Sequence, residues 1–190
     1  MLKDLVLKNR SYRRFYENET ISIDTLKELV DLARTIPCGA NGQVLKYFLV
    51  NTKNLNDKVF PNIGWAGYLK DWDGPSEGER PSAYIIMLND RTLSQNRRLT
   101  DEGIAAQTIM LGAVEKGLGG CMLGNVKKDN LYTALNIDKE KYEIAIVMAV
   151  GKPKETVVID EMKDGDIKYW RDSEQIHHVP KRSLEEIIVK

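Results

Sequence analysis

The sequence predicts an α+β fold in which helices cover a β-sheet. Segments whose apolar residues recur at helical spacing intermix with short apolar runs of strand length. The chain has 190 residues, of which 42% are hydrophobic and 29% charged, as is usual for a globular protein. Since neither a linker nor an internal repeat divides the chain, we expect a single domain over residues 1–190.

The first half of the chain is predicted to contain two helices and a strand. The apolar segment Leu2–Leu7 has a helical pattern, and Ser22 begins a second helix with apolar residues at helical spacing. Pro37 ends that helix, because the residue before a proline avoids the helical conformation. The apolar run Leu45–Asn51 is then predicted to be a strand.

Residues 52–80 have the least regular pattern. They contain Trp65, Tyr68 and Trp72, followed by a polar run rich in Asp, Glu and Gly. Two interpretations of these aromatic side chains stay open: they cover part of the core, or they roof a ligand pocket.

The second half alternates strands and helices. Ala83–Asn89 is predicted to be a buried strand. Thr100 begins a long central or interface helix, in which small residues allow close approach of a partner. One face of that helix carries larger side chains, namely Ile104, Gln107, Thr108, Leu111 and Val114. The remaining predicted elements are a strand at Cys121–Leu123, a helix at Lys128–Leu135, a strand at Glu143–Val150 and a last turn or helix at 183–188.

The charge balance argues against several kinds of partner. The 28 basic and 28 acidic residues give a formal net charge of zero, so general attraction to nucleic acid or to an anionic membrane is not expected. The longest apolar runs are too short to span a bilayer, and the N-terminus lacks a hydrophobic signal core. We therefore expect a cytoplasmic protein with neither a nucleic-acid nor a membrane partner.

The cysteines and histidines do not form a metal-binding pattern. Cys38 and Cys121 cannot form a disulfide framework and are expected to be reduced, mostly buried thiols. His177 and His178 are adjacent, so on an extended chain their rings point in opposite directions. We expect no metal site, and nothing in the sequence suggests a nucleophile paired with its base.

Two common nucleotide-binding motifs are absent. The glycines at 117–124 follow a helix where a dinucleotide fold needs a strand, and Met122 breaks the fingerprint. No glycine-rich loop ends in Gly-Lys-Ser or Gly-Lys-Thr, as the phosphate loop of nucleotide hydrolases requires.

Basic residues concentrate in two turns at opposite ends of the chain. The first contains Arg10, Ser11 and Arg13, and the second contains Lys181 and Arg182. Guanidinium groups, a hydroxyl and free backbone N–H groups together suit a phosphate. A solvated surface turn is the alternative interpretation. Between them, the loop at 37–43 has two glycines and an asparagine, whose backbone N–H groups could meet a planar polar ligand.

Four features, in this order, resemble the FMN-dependent nitroreductase family. That family shows an Arg-Arg-Ser-x-Arg turn after its first helix and a Pro-Ser-x-x-Asn-x-Gln-Pro-Trp loop after its second. A long helix of small residues ending in Gly-Leu-Gly follows, and then a late basic residue before a Leu-Glu-Glu tail. The corresponding segments here are Asn9–Arg13, Pro37–Leu45, Ala105–Gly119 and Lys181–Glu186. The resemblance covers nearly the whole chain.

The resemblance implies a nitroreductase-like fold with a central, mostly antiparallel sheet flanked by helices. It also implies a homodimer of the domain-swapped type, with two FMN molecules at the subunit interface. Members use NADH or NADPH to reduce electron-poor small molecules, such as nitroaromatics and quinones, by a ping-pong mechanism. The flavin carries the chemistry, so no catalytic side chain is expected.

The same resemblance assigns FMN-binding positions. Arg10 and Ser11 match residues that hold the phosphate, and Arg13 matches a basic residue near the pyrimidine edge of the flavin. Lys181 or Arg182 would close on the phosphate from the far end of the chain. The ring system would meet the loop residues Cys38, Gly39, Asn41 and Gln43, often from the partner subunit, and the backbone of Leu123 and Gly124.

Departures from the family pattern keep other functions open. Asn9 stands where a basic residue is common, Cys38 replaces a serine or threonine, and Val44-Leu45 replaces Pro-Trp. A flavin-binding protein that stores or senses FMN with little turnover is one alternative. A specialised flavin reductase or dehalogenase of the same fold is another.

Overall fold

A four-stranded antiparallel sheet organises the fold. The structure, a computed structural model, describes residues 1–189. The strands are Leu45–Val50 (β1), Ala83–Asp90 (β2), Gly119–Leu123 (β3) and Tyr142–Gly151 (β4), in the order β1-β2-β4-β3. Strand β2 pairs with both β1 and β4, and all its residues are buried. The predicted α+β class and central antiparallel sheet are confirmed.

Helices cover both faces of this sheet. On one face, α2 (Ile23–Arg34) and α4 (Leu99–Glu115) pack around Ile85 and Met87 of β2. The other face, with Tyr84 and Ile86, is covered by α3 (Lys53–Val59), α5 (Lys128–Leu135) and the segment around Trp65. Since successive strand residues point to opposite faces, β2 contributes to both cores. The short helices α1 (Leu2–Lys8) and α6 (Leu184–Ile187) lie near the termini.

A second sheet of three strands was not predicted. It comprises Val157–Glu161 (β5), Trp170–Arg171 (β6) and His177–Lys181 (β7), in the order β5-β7-β6. The rings of His177 and His178 lie on opposite faces of β7, as expected for an extended chain. His177 is fully buried, whereas the ring of His178 stacks on Trp170 at 4.0 Å.

The segment at 52–80 is more ordered than its pattern indicated. Its first part forms α3, and Trp65 lies in the core. Trp72 packs against the same core, while Tyr68 stays 46% exposed and its ring lies 4.9 Å from that of Tyr169. The core interpretation is confirmed for Trp65 and Trp72, and Tyr68 packs against Tyr169 instead.

Helix α4 buries its alanines against the core and leaves part of one face exposed. Ala105, Ala106 and Ala113 are buried against the sheet and α2, whereas Ile104 is 39% exposed and Gln107 is also exposed. Close packing by the small residues was predicted, and the exposed Ile104 and Gln107 face away from the core. Within residues 1–189, no helix combines the length and the apolar character needed to cross a membrane.

Candidate functional site

Strand β7 lines a cavity with alternate side chains. His177, Val179 and Lys181 share one face of the strand, and all three line a cavity of about 330 Å³. Arg10 and Arg13 of the first basic turn also line this cavity. Two groups of residues about 170 positions apart therefore meet at one site. Its volume is within the range of small-molecule sites.

The basic turn is held in place by the edge of the central sheet. Ser11 forms a parallel bridge with Gly120 of β3, and the N–H of Tyr12 donates to the Gly120 carbonyl at 2.9 Å. Gly120 has no room for a side chain, because a Cβ there would lie 2.2 Å from the carbonyl oxygen of Ala149. The turn is thus fixed on a rigid support.

Arg13 is the buried cation of the cavity wall. The guanidinium Nη1 donates to the carbonyl of Ser11 at 3.1 Å and lies 3.2 Å from Nε2 of His177. Its carbon lies 4.8 Å from the ring centroid of Tyr169, which also lines the cavity. The Arg13 side chain forms no ion pair with a carboxylate of residues 1–189, and its Nε has no hydrogen-bond partner there.

Arg10, Ser11 and Lys181 form the more open part of the same wall. The Nη2 of Arg10 donates to the carbonyl of Val6 at 2.7 Å, and the Nε of Arg10 has no hydrogen-bond partner in the described chain. The side chains of Ser11 and Lys181 are exposed at the cavity. Arg182 does not line it and instead pairs with Glu186 at 3.2 Å.

The electrostatic character of the cavity is positive. Three cationic side chains line it, those of Arg10, Arg13 and Lys181, and the described lining includes no carboxylate. His177 adds no charge near neutral pH, because burial, with the nearby charges of Arg13 and Arg171, lowers its pKa to about 4. A buried cation without a carboxylate partner is unfavourable unless an anion or hydrogen bonds compensate it. These residues fit a phosphorylated, partly planar ligand such as FMN.

A buried carboxylate behind the cavity ties three segments together. Glu155 accepts the backbone N–H groups of Arg13 and Arg14 and pairs with Arg171 at 3.0 Å. The Arg171 guanidinium carbon lies 4.2 Å from the ring centroid of Trp72. Glu155 therefore fixes the backbone of the basic turn and leaves the Arg13 side chain free of an ion pair.

The loop at 37–43 lies at a different cavity. Cys38, Asn41 and Gln43 line a space of about 640 Å³ that also borders α2, β1 and Asp101. Three residues of this loop that are not glycine have left-handed backbone conformations: Ala40 and Asn41 with φ 50°, and Gln43 with φ 47°. Such conformations cost free energy and often occur at functional sites.

Two residues at the start of α4 hold this loop: Arg98 at its N-cap and Asp101 in its first turn. The carboxylate Oδ1 of Asp101 accepts the N–H of Gly39 at 2.9 Å, and Nη1 of Arg98 donates to the Gly39 carbonyl at 2.9 Å. The Arg98 guanidinium also covers Gly42, whose Cβ would lie 3.2 Å from it. Within one chain, this loop and the basic turn line separate cavities.

Leu123 and Gly124 line neither cavity. Leu123 is buried in the core at the end of β3, and Gly124 is exposed with open space around its Cα. Both cysteines are free, and Cys121 is buried. Within residues 1–189, no three His, Cys, Asp or Glu side chains form a group that could hold a metal ion.

Several residues of the smaller cavity were missed by the sequence analysis. His177 and Val179 come from the unpredicted second sheet, Tyr169 immediately precedes its strand β6, and Gln107 and Met110 come from α4. The period-two pattern His177-Val179-Lys181 was the available signal, since it leads directly to a basic residue already singled out.

Comparison with known proteins agrees with this architecture. A family model described as the nitroreductase family matches residues 79–152, which include β2, α4 and β3 and reach the end of β4. A Bacillus subtilis protein with the provisional name NAD(P)H nitroreductase YdgI is 22% identical over 181 residues, covering 78% of this chain and 87% of the relative. The resemblance to the nitroreductase family is confirmed.

Solved structures share the fold. A nitroreductase family protein from Clostridium novyi NT has a TM-score of 0.65 at 19% identity and covers 100% of this chain and 99% of its own. A protein from Desulfovibrio desulfuricans, provisionally described as a nitroreductase and solved in complex with FMN, has a TM-score of 0.68 at 19% identity, with coverages of 100% and 95%. At this identity the likeness establishes the fold.

Proposed function

We propose that this protein is an FMN-dependent oxidoreductase that takes electrons from NADH or NADPH and passes them to small electron-poor molecules. The observation that carries the proposal is the cavity where Arg10, Arg13 and Lys181 converge without a carboxylate. An anionic, phosphorylated cofactor supplies the charge that this wall lacks. The relatives named NAD(P)H nitroreductase and solved with FMN support the same cofactor and donor.

Each side chain has a distinct task in this proposal. Arg10, Ser11 and Lys181 bind the phosphate, which the exposed part of the wall can reach. Arg13 places its positive charge beside the pyrimidine edge of the ring system and favours negative charge there. Bound FMN supplies the redox chemistry, accepting a hydride from the nicotinamide and giving electrons to the acceptor. No side chain of the protein is required as an acid or nucleophile.

We further propose that the functional unit is a homodimer of the domain-swapped type. The cavity at 37–43 and the cavity of the basic turn are separate within one chain. A partner subunit would bring its Cys38, Gly39, Asn41 and Gln43 to the ring system, with the backbone of Leu123 and Gly124 on the other side. The exposed Ile104 of α4 and the exposed Leu184 and Ile187 of α6 are apolar side chains available for such a contact.

The donor and the acceptor would occupy one site in turn, which gives ping-pong kinetics. Nitroaromatics and quinones are suitable acceptors because they accept electrons readily.

We propose a single domain over residues 1–190 in the cytoplasm, where Cys38 and Cys121 would stay reduced, as their free thiols suggest.

The absorption spectrum of the purified protein tests the cofactor. Flavin bands, or their appearance after incubation with FMN, are expected. Tighter binding of FMN than of riboflavin, which lacks the phosphate, would support the assigned phosphate site. Protein that stays colourless after incubation with FMN would contradict the proposal.

A flavin-storing or flavin-sensing protein is the second candidate. Asn9 lines the cavity where the family commonly has a cation, so the phosphate has one charged partner fewer. Oxidation of NADH and NADPH with a nitroaromatic or quinone acceptor distinguishes the two functions. A yellow protein whose flavin neither nucleotide reduces would favour storage. A specialised reductase or dehalogenase would instead turn over with other acceptors, which would pack against Tyr68 beside the cavity residue Tyr169.

A further inference from the structure

The charge of Arg13 is preserved by the way its neighbours are paired. The buried carboxylate of Glu155 binds the backbone N–H groups of Arg13 and Arg14 and forms its ion pair with Arg171. The Arg13 guanidinium contacts a carbonyl, a histidine ring and an aromatic face. None of these partners carries a negative charge, so none cancels the charge of Arg13.

In its contact with Arg13, His177 can only accept a hydrogen bond. A guanidinium nitrogen is always a donor, so Nε2 of His177, 3.2 Å from Nη1, must carry the lone pair. The ring proton then lies on Nδ1, which is buried and has no hydrogen-bond partner in residues 1–189. Burial lowers the pKa of His177, so its ring is neutral near pH 7. Nothing in the described chain explains this buried histidine as packing alone, because an apolar residue would fill the place without an unpaired N–H.

We propose that His177 is the positioning residue of Arg13. Its ring accepts one guanidinium N–H, fixes the side chain against the ring of Tyr169, and leaves the full positive charge directed at the cavity. A carboxylate at the same place would hold Arg13 equally well but would neutralise it. The inference rests on the proposed FMN function, and it adds a residue that acts on the cofactor through Arg13.

Three substitutions at position 177 separate two effects: fixing the Arg13 side chain in place and neutralising its charge. His177→Gln keeps a neutral acceptor and is expected to bind FMN within about threefold of the wild type. His177→Glu holds Arg13 but cancels its charge, and His177→Phe fills the space without an acceptor. Both are expected to weaken FMN binding by about tenfold or more, the range of one charge-assisted contact. His177→Glu should also make the bound flavin harder to reduce.

The measurements are the Kd of FMN, from quenching of its fluorescence, and the reduction potential of the bound flavin. His178→Gln is the matched control, since His178 lies on the opposite face of β7 and a glutamine amide there can still donate to Asp160, so both values should stay unchanged. Circular dichroism checks that each variant folds. If His177→Glu fails to fold, the comparison of His177→Phe with His177→Gln tests the inference. A more negative potential in His177→Phe, which adds no charge of its own to the cavity, is a readout that a purely structural role would not produce.

The outcomes are distinguishable. A wild-type protein that binds no FMN would overturn the proposed function, and this inference with it. Wild-type FMN binding with an unchanged Kd and potential in His177→Glu and His177→Phe would overturn the inference alone. So would a loss in His177→Gln as large as that in His177→Phe.

Discussion

The carboxylate of Asp101 accepts a hydrogen bond from the backbone N–H of Gly39 at 2.9 Å, 62 positions away in the sequence. Asp101 lies in the first turn of α4, and its second oxygen is buried without a hydrogen-bond partner in the described chain. One helix terminus thereby holds a loop that contains three left-handed residues. The loop conformation depends on this contact because the backbone alone does not favour it.

Removal of the Asp101 carboxylate should loosen the loop. We expect Asp101→Ala to lower the free energy of unfolding by about 1.5–3 kcal/mol, the range for a hydrogen bond to a charged group. Amide exchange at Gly39 should accelerate more than exchange in β2. Thr100→Ala, a change at the neighbouring exposed residue, is the control. Unchanged exchange at Gly39 would show that Arg98 holds the loop alone.

A glycine at position 40 should stabilise the protein. Ala40 has φ 50° and ψ 26°, a conformation that costs a non-glycine residue about 1–2 kcal/mol. The greater flexibility of an unfolded glycine offsets about 0.5–1 kcal/mol of this. We therefore expect Ala40→Gly to raise the free energy of unfolding by about 0.5–1 kcal/mol in urea denaturation. The same change at Ala134, inside α5, should instead be destabilising.

Lys181 and Arg182 should differ sharply in their effect on phosphate binding. Lys181 lines the cavity, whereas Arg182 pairs with Glu186 outside it. We expect Lys181→Ala to weaken FMN binding by about 1.5–3 kcal/mol and to change riboflavin binding little. Arg182→Ala serves as the matched control and should leave both affinities near the wild type. An equal loss for the two ligands in Lys181→Ala would reject its phosphate role.

Acid should destabilise the fold through His177. The pKa of this ring falls to about 4 in the folded protein, and the ordinary value is about 6.5. Between these values the unfolded chain binds a proton that the folded protein excludes, so the free energy of unfolding decreases as the pH falls through this window. His177→Gln should therefore lose less stability than the wild type between pH 7 and pH 4.5 in urea titrations.

His178 supplies a control of opposite sign. Partial burial lowers its pKa, but hydrogen bonds with Asp160 and Asp172 outweigh this and raise it. Its contribution is therefore present at low pH and lost as the pH rises through the raised pKa. His178→Gln should lose more stability than the wild type on acidification. Parallel curves for both glutamine variants would contradict the assigned pKa directions.

The central sheet could be predicted from the sequence because its strands are apolar runs bounded by turn residues. The bounds of α5 agreed at both ends, and those of β2 and β4 within one residue. Strands β5 and β7 were missed because their partners are distant and their residues mix charged and apolar types. Helix α3 was missed because only Leu55 and Val59 are apolar in it.

The candidate site was only partly accessible from the sequence. The pattern identified both basic turns, and the structure brings Arg10, Ser11, Arg13 and Lys181 together. The alternation His177-Val179-Lys181 indicated a shared strand face, but it could not assign a role to His177, because the burial of that ring depends on the pairing of β5 with β7. Nor could it reveal the role of Asp101, which acts through one long-range contact with a backbone N–H.

In the segment 177–182, His-His-Val-Pro-Lys-Arg, a shift by one residue replaces a histidine with a histidine and a lysine with an arginine. Such a slip of β7 would offer His178 and Arg182 to the cavity in place of His177 and Lys181, so the cavity side chains barely distinguish the two alignments. The distinction is made on the far side of the strand. There Asp160, Asp172 and the ring of Trp170 engage His178, and Pro180 lacks an N–H. The residues that protect the ligand site from misalignment are therefore ones that never touch it.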